Sequence, residues 1–236
     1  MIPKIVHIAW NNKNLLESNH PIVLNGIKSF NNLNPEWSIN VNNDNDINYY
    51  LKENLNKKHF NLVSNIGIVP KTDIWRLLKI YFEGGLYIDI DRLCNKSISY
   101  LLEKNIKWVL PTFRDQDFSH DIMLSDKNNP VFKCVIDLYF KRRDSGINNT
   151  YFLGATTYMH GITLFLMNKI INSNPSKEIF TQIREEIKKY PFIKTFRETP
   201  PENTILYSGE VNFDKLEIMK RSFYKENNIK HWTGEW

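Results

Sequence analysis

Asp89 and Asp91 stand one residue apart in the stretch EGGLYIDID, at the end of an apolar run. Side chains alternate along an extended strand, so both carboxylates would face one side while Leu86, Ile88 and Ile90 face the other. Two hard oxygen donors aimed at one point suit Mg2+ or Mn2+, with phosphate oxygens and water completing the shell. Short acidic pairs are nevertheless common at strand ends, and Asp44 and Asp46 have the same spacing in NDND. Helix capping in an asparagine-rich loop is the stronger reading of that second pair. Context separates the two. Upstream of Asp89, Asp73 and Arg76 sit one turn apart on one face of an expected helix. They are either a local ion pair of modest effect, or a functional pair. In the second case the arginine orients an anionic or hydroxyl-rich ligand while Asp73 accepts sugar hydroxyls.

The elements that must hold these residues are legible from pattern. KIVHIAW, Lys4 to Trp10, is β-rich and follows Pro3. Pro21 suits the first position of a helix through Ile22 to Phe30. NPEWSINVN alternates Trp37, Ile39 and Val41 as a second strand, after which Asp44 or Asp46 caps a helix containing Tyr49, Tyr50 and Leu51. Thr72 is the expected N-cap of DIWRLLKIYFEGG, where Ile74, Leu77, Leu78 and Tyr81 follow helical spacing. Gly84-Gly85 stops that helix and LYIDI starts a strand. KWVLPTF and NTILYSGEVNF read as further strands, PVFKCVIDLYFKRR and PSKEIFTQIREEIKKY as amphipathic helices. Strands alternating with helices, with no linker and no repeat, predict one α/β domain over residues 1–236 with a largely parallel sheet.

Taken together, TDIWRLLKIYFEGGLYIDID resembles the D-x-x-R…G-G-x-Y-x-D-x-D block of the DXD-containing glycosyltransferases of family 32. It is also similar to a block in the catalytic domains of the large clostridial glucosylating toxins. IPKIVHIAW resembles the family's opening I-P-K-x-x-H-x-x-W strand, NPEWSINVNNDNDI its next strand and acidic turn, and HWTGEW its closing H-x-W-x-G-S-W. The resemblance implies a GT-A type nucleotide-binding sandwich and a metal-dependent, retaining enzyme that uses a nucleotide-sugar. By position, it makes Trp10 the aromatic that stacks on the base, and Asp73 and Arg76 the donor-sugar pair. Tyr87 belongs to the same nucleotide-sugar-binding set. Asp89 is then expected near ribose and metal, Asp91 as a metal ligand, and Trp236 at the diphosphate. Glu235 replaces the family's closing serine, and is either a surface acid or an extra ligand for Mn2+ or Mg2+; His231 is a surface histidine or a further ligand. His120 stands where the family often has asparagine, and only LGA at Leu153 to Ala155 resembles its mid-chain T-G-P.

Composition narrows the surroundings of such a site. The chain has 236 residues, 42% hydrophobic and 13% aromatic, enough for a substantial core. No window is apolar for long enough to cross a bilayer, and MIPKIVHIAW has no long h-region, so a standard secretory signal is not expected. Cys94 and Cys134 are too few for a disulfide scaffold or a four-ligand zinc site and read as reduced thiols. Asn95-Lys96-Ser97 and Asn148-Asn149-Thr150 are glycan acceptor motifs, but a glycan on Asn95 would crowd a site at Asp91. A cytoplasmic location is expected, either free or peripheral to a membrane. The net charge of +5 comes from scattered lysines, which favours solvated surface over nucleic-acid binding. His7 and His160 read as packed or surface histidines. The expected partners are a nucleotide-sugar donor, UDP-hexose ahead of GDP-mannose, and a glycan, lipid-linked glycan or protein acceptor. Two rivals stand beside this: a metal-dependent nucleotide-sugar or diphosphate hydrolase, and a non-catalytic glycan-binding domain of the same fold.

Overall fold

The computed structural model describes residues 1–11, 13–14, 20–99, 102, 107–113, 117–118, 120–170, 204–208, 213–215 and 217–226. Strand β1 (Ile5–Ala9) leads through helix α1 (Pro21–Leu33) to β2 (Ser38–Asn42). Three helices follow, α2 (Asp44–Asn54), α3 (Lys57–Ser64) and α4 (Ile68–Glu83), before β3 (Gly85–Ile88) and β4 (Arg92–Cys94). Then come β5 (Trp108–Phe113), β6 (Asp117–Phe118), β7 (Ile122–Ser125), α5 (Pro130–Asp144), α6 (Thr150–Leu153) and α7 (Ala155–Ile170). Strands β8 (Thr204–Ser208) and β9 (Phe213–Lys215) and helix α8 (Glu217–Glu226) complete the described part.

The main sheet has the order β2-β1-β3-β7-β5-β6, with β8 on β5. Pairs β1–β2, β1–β3 and β5–β8 are parallel, whereas β7 runs against β3 and β5, and β6 against β5. Most strands therefore share one direction, as expected, and β6 and β7 oppose it. Strands β4 and β9 form a separate antiparallel pair. Because β2 and β3 flank β1 on opposite sides, the chain reverses its lateral direction there. In open α/β sheets the crevice at the carboxyl ends of such strands is the usual ligand position.

Alternation sorts the core onto the two faces of this sheet. Tyr87 and Met123 pack with Trp75, Phe132, Val135, Tyr139 and Tyr158 of the helices on one side. Leu86, Ile88, Ile122 and Leu124 pack with Val23, Ile27 and Phe30 of α1 on the other. Pro21 and Pro130 each open a helix, where the missing N–H costs nothing.

Two expected caps are corrected. Helix α4 starts a turn before Thr72, with Gly67 at its N-cap, and the Thr72 hydroxyl donates to the Ile68 carbonyl inside the helix. Pro70 explains the earlier start, because proline is tolerated in the first turn, where N–H groups lack intrahelical partners anyway. Helix α2 is capped by Asn43, whose side chain accepts from Asn45 and Asp46 N–H; Asp46 completes a capping box by accepting from Asn43 N–H. The helix expected over PSKEIFTQIREEIKKY lies outside the described residues.

Candidate active site

The acidic pair is not held as an extended strand would hold it. Strand β3 ends at Ile88, and Arg92 N–H closes a turn on the Asp89 carbonyl at 3.2 Å. The expectation that both side chains share a strand face is therefore corrected. Asp89 N–H still donates to the Asp121 carbonyl at 2.9 Å, in register with the last ladder pair of β3 with β7, and the chain turns only after it. Helix α1 supports this turn from behind. A methyl group at Gly26 would lie 2.7 Å from the Ile90 carbonyl oxygen and 3.0 Å from that of Arg92, so a bare backbone is needed there. Arg92 itself pairs with Asp121, and both are buried.

Within the turn the two carboxylates point to different partners. Asp89 Oδ1 accepts from Arg76 at 3.2 Å and from the Tyr87 hydroxyl. Arg76 also meets Asp73 Oδ1 at 3.0 Å, donates to the His120 carbonyl at 3.1 Å and to the Thr72 carbonyl at 3.4 Å, and lies over the Tyr87 ring at 4.6 Å. His120 Nε2 stands 3.4 Å from the same Asp73 oxygen. Asp91 faces elsewhere: its Oδ2 accepts from Lys220 Nζ of α8 at 2.8 Å, and its Oδ1 is buried without a hydrogen-bond partner among the described residues.

Electrostatics follow from this wiring. Burial alone would raise the Asp73 carboxyl, but Arg76, helped by His120, holds it below its ordinary value. Burial weakens the Arg76 charge, and Tyr87, Asp89 and Asp73 more than restore it, so its pKa is raised. Asp89 goes the other way. Burial pushes its carboxyl up; Arg76 opposes this, and the charges of Asp91 and Asp121 add to the rise. The two acids stay within one turn, closed by Arg92 N–H on the Asp89 carbonyl, despite their separate partners. Burial opposes the Lys220 charge too, but Asp91 outweighs it and raises the lysine.

This donor set fits a hard divalent cation in its chemistry. Asp89 keeps about a third of its side chain exposed (34%), and its Oδ1 is taken by Arg76 and Tyr87, while Asp91 presents the unpaired Oδ1. Two carboxylate oxygens with phosphate and water is a normal Mg2+ environment. Among the described residues, no group of three or more His, Cys, Asp or Glu is arranged to hold a metal by itself.

Of the other residues singled out from sequence, Trp10 lies just past β1, half-buried, its N–H on the Asn42 carbonyl at 3.0 Å. It meets His20 edge-on at 5.3 Å. Trp10 and Asp89 thus follow the ends of adjacent parallel strands, on either side of the chain reversal. His231, Glu235 and Trp236 lie outside the described residues. His7 is buried with Nε2 2.9 Å from the Gly84 carbonyl, and burial lowers its pKa; exposed His160 meets Arg142 at 2.6 Å. Both thiols are free and burial pushes them up, as inert cysteines should be. Pattern reading missed His120 as a partner of Asp73, and missed Asp121 and Lys220 altogether. The departure from asparagine at His120 was the one local signal.

Comparison with known proteins fits this geometry. Residues 22–108 match the family model described as "Glycosyltransferase sugar-binding region containing DXD motif". The chain is 26% identical over 196 residues to uncharacterized glycosyltransferase L373 of Acanthamoeba polyphaga mimivirus, covering 76% of this chain and 70% of that one. It is 25% identical over 170 residues to inositol phosphoceramide mannosyltransferase 1 of Schizosaccharomyces pombe, covering 70% of this chain and half (50%) of the relative. Among solved structures, PaToxG glycosyltransferase superposes with a TM-score of 0.52 at 16% identity, over 79% of this chain and 75% of that one. The two comparisons point the same way: residues 22–108 are similar to the DXD-containing glycosyltransferase region, and the architecture is that of the GT-A fold.

Proposed function

We propose that the protein is a metal-dependent, retaining hexosyltransferase, a single catalytic domain acting in the cytoplasm. It takes a hexose from a nucleotide-sugar, UDP-sugars ahead of GDP-mannose, and passes it to a hydroxyl of a glycan, lipid-linked glycan or protein. One observation carries this reading: Asp73, Arg76, Tyr87 and Asp89 form a single hydrogen-bonded cluster at the strand reversal. They come from two elements, α4 and the end of β3, and all lie within the family match. The name of the Schizosaccharomyces pombe relative keeps mannose and a lipid acceptor in view.

In this reading Asp89 and Asp91 hold Mn2+ or Mg2+. When bound, the cation supplies Lewis-acid stabilisation of the charge that builds on the diphosphate leaving group. The chain's own residues do the rest. Asp73, kept ionised by Arg76, accepts hydroxyls of the donor sugar. Arg76 is locked by its four polar contacts, so its charge is already in place when the bond to the leaving group weakens. Trp10 offers an indole face for the base at the end of β1. Trp236, by the resemblance, reaches the diphosphate. Hydrolytic two-carboxylate chemistry needs acids on opposite sides of the scissile bond, whereas Asp89 and Asp91 share one turn. Transfer on the front face of the sugar, with oxocarbenium character, is what the resemblance implies for such a site.

The test is a donor screen. Purified protein with Mn2+ is titrated with UDP- and GDP-sugars, and binding and slow hydrolysis are followed. One donor class should respond, and only with metal. Silence towards every donor, with and without metal, refutes the proposal. Asp73→Ala should abolish the sugar-dependent response; equal turnover of a plain nucleoside diphosphate by this variant would mark a hydrolase instead.

A further inference from the structure

The two carboxylates of the acidic pair have very different counter-ions. Arg76 stands on α4, in the first third of the chain, 7% exposed and fixed by several partners. Lys220 comes from α8, across 129 residues of sequence, and keeps 25% of its side chain exposed. Its ammonium sits 2.8 Å from a carboxylate that is itself 4% exposed. Helix α8 docks through one face: Lys220, Phe223 and Tyr224 are half-buried, while Arg221, Ser222, Lys225 and Glu226 are exposed. One turn after Lys220, the Phe223 ring lies 3.7 Å from that of His20, which in turn meets Trp10. The helix therefore touches the acidic turn through Lys220 and, through Phe223, the histidine that packs on Trp10.

We infer that Lys220 is a built-in counter-ion of the cation site: it holds Asp91 until a divalent cation takes that carboxylate, and cation binding releases α8 from Asp91. This rests on the reading of Asp91 as a metal ligand. A cation on Asp91 Oδ1 would lie within about 5 Å of an ammonium on Oδ2, and charges of one sign that close repel strongly in a partly buried site. Lys220 is the group able to leave. It sits on a flexible four-carbon stem that is a quarter (25%) exposed and has Asp91 as its polar partner, whereas Arg76 is held by four. Metal affinity is thereby lowered by the lysine, and the seating of α8 against His20 is coupled to the state of the acidic turn.

The test is Mn2+ titration without donor, reading free Mn2+ by its electron paramagnetic resonance signal. Lys220→Met should bind Mn2+ about tenfold more tightly than the parent protein, while Lys220→Arg, which keeps the charge, should stay near the parent value. Lys220→Gln serves if the methionine variant folds poorly. Hydrogen exchange of residues 217–226 should rise on adding Mn2+ to the parent, and should already be raised in Lys220→Met without metal. Equal or weaker binding by the neutral variants overturns the inference and leaves the metal reading standing. Absence of Mn2+ binding in all forms, or binding untouched by Asp91→Asn, overturns the metal reading and the inference together.

Discussion

Replacing Arg76 by methionine keeps much of the side-chain volume and removes the charge that three acidic or phenolic neighbours share. Asp73 and Arg76 are each 7% exposed and 3.0 Å apart. Breaking a buried pair from one side leaves an uncompensated charge and costs about 3–5 kcal/mol. At about 2–4 °C per kcal/mol for a chain of this size, Arg76→Met should melt about 6–20 °C lower near neutral pH. The pH dependence gives the sharper check. In the parent protein Asp73 is held below its ordinary pKa, so its contribution is full above the unfolded pKa and is lost as pH falls through the folded one. Without Arg76, burial dominates and the Asp73 pKa rises above the unfolded value. The variant then loses stability as pH climbs through that raised pKa. The gap in melting temperature should therefore be widest at pH 7–8 and shrink steadily towards about pH 4. Thermal melts followed by circular dichroism across that range measure it. A gap that stays constant with pH would refute the electrostatic account. So would an Asp73→Asn/Arg76→Met double variant whose loss merely equals the sum of the two singles, because groups in contact should couple by about 0.5–3 kcal/mol.

Three further outcomes are expected. Gly85→Ala should destabilise by about 3 kcal/mol or more, since its Cβ would lie 2.5 Å from the Ile5 carbonyl oxygen at a φ of +92°; Gly146→Ala, with similar φ (+81°) but nothing within 4 Å, should cost only about 1–2 kcal/mol in urea unfolding. Thr72→Ala should change stability by no more than about 0.5 kcal/mol, because Thr72 is inside α4 and not its cap; a loss near 1 kcal/mol would restore the capping role. Tyr87→Phe removes a buried hydroxyl from the charged Asp89 oxygen and should cost about 1.5–3 kcal/mol, with donor binding weakened alongside; an unchanged melting curve would show that this bond contributes nothing.

What could be read from sequence was what local chemistry decides. Alternation in IVHIA and LYI, proline at the first turn of α1 and α5, and Gly84 with positive φ after α4 all act within a few residues. So does the Asp73–Arg76 pair, whose contact follows from helical spacing alone. The misplaced start of α4 came from ranking a threonine above a first-turn proline, two signals of comparable strength. The shape of the acidic turn was not legible, because what packs behind it, the backbone of α1 at Gly26, is far away in sequence. His120 and Lys220 reach the site only through tertiary packing, 47 and 129 residues from their carboxylates by numbering. Gly26 belongs with them: nothing in VLNGIKS announces that two carbonyls of a distant turn press against it.

The distance between Asp91 and Lys220 also bears on how the chain matures. At ribosomal rates of about 5–20 residues per second, the lysine emerges about 6–26 s after the carboxylate it will neutralise. Strands β1 to β3 and helix α1 precede Lys220 by far and can assemble in that interval, with Asp91 directly after β3. During those seconds the nascent domain holds this acid with no lysine to meet it. The carboxyl end of β3, where Asp91 lies, is thus completed late in biosynthesis, when α8 brings Lys220.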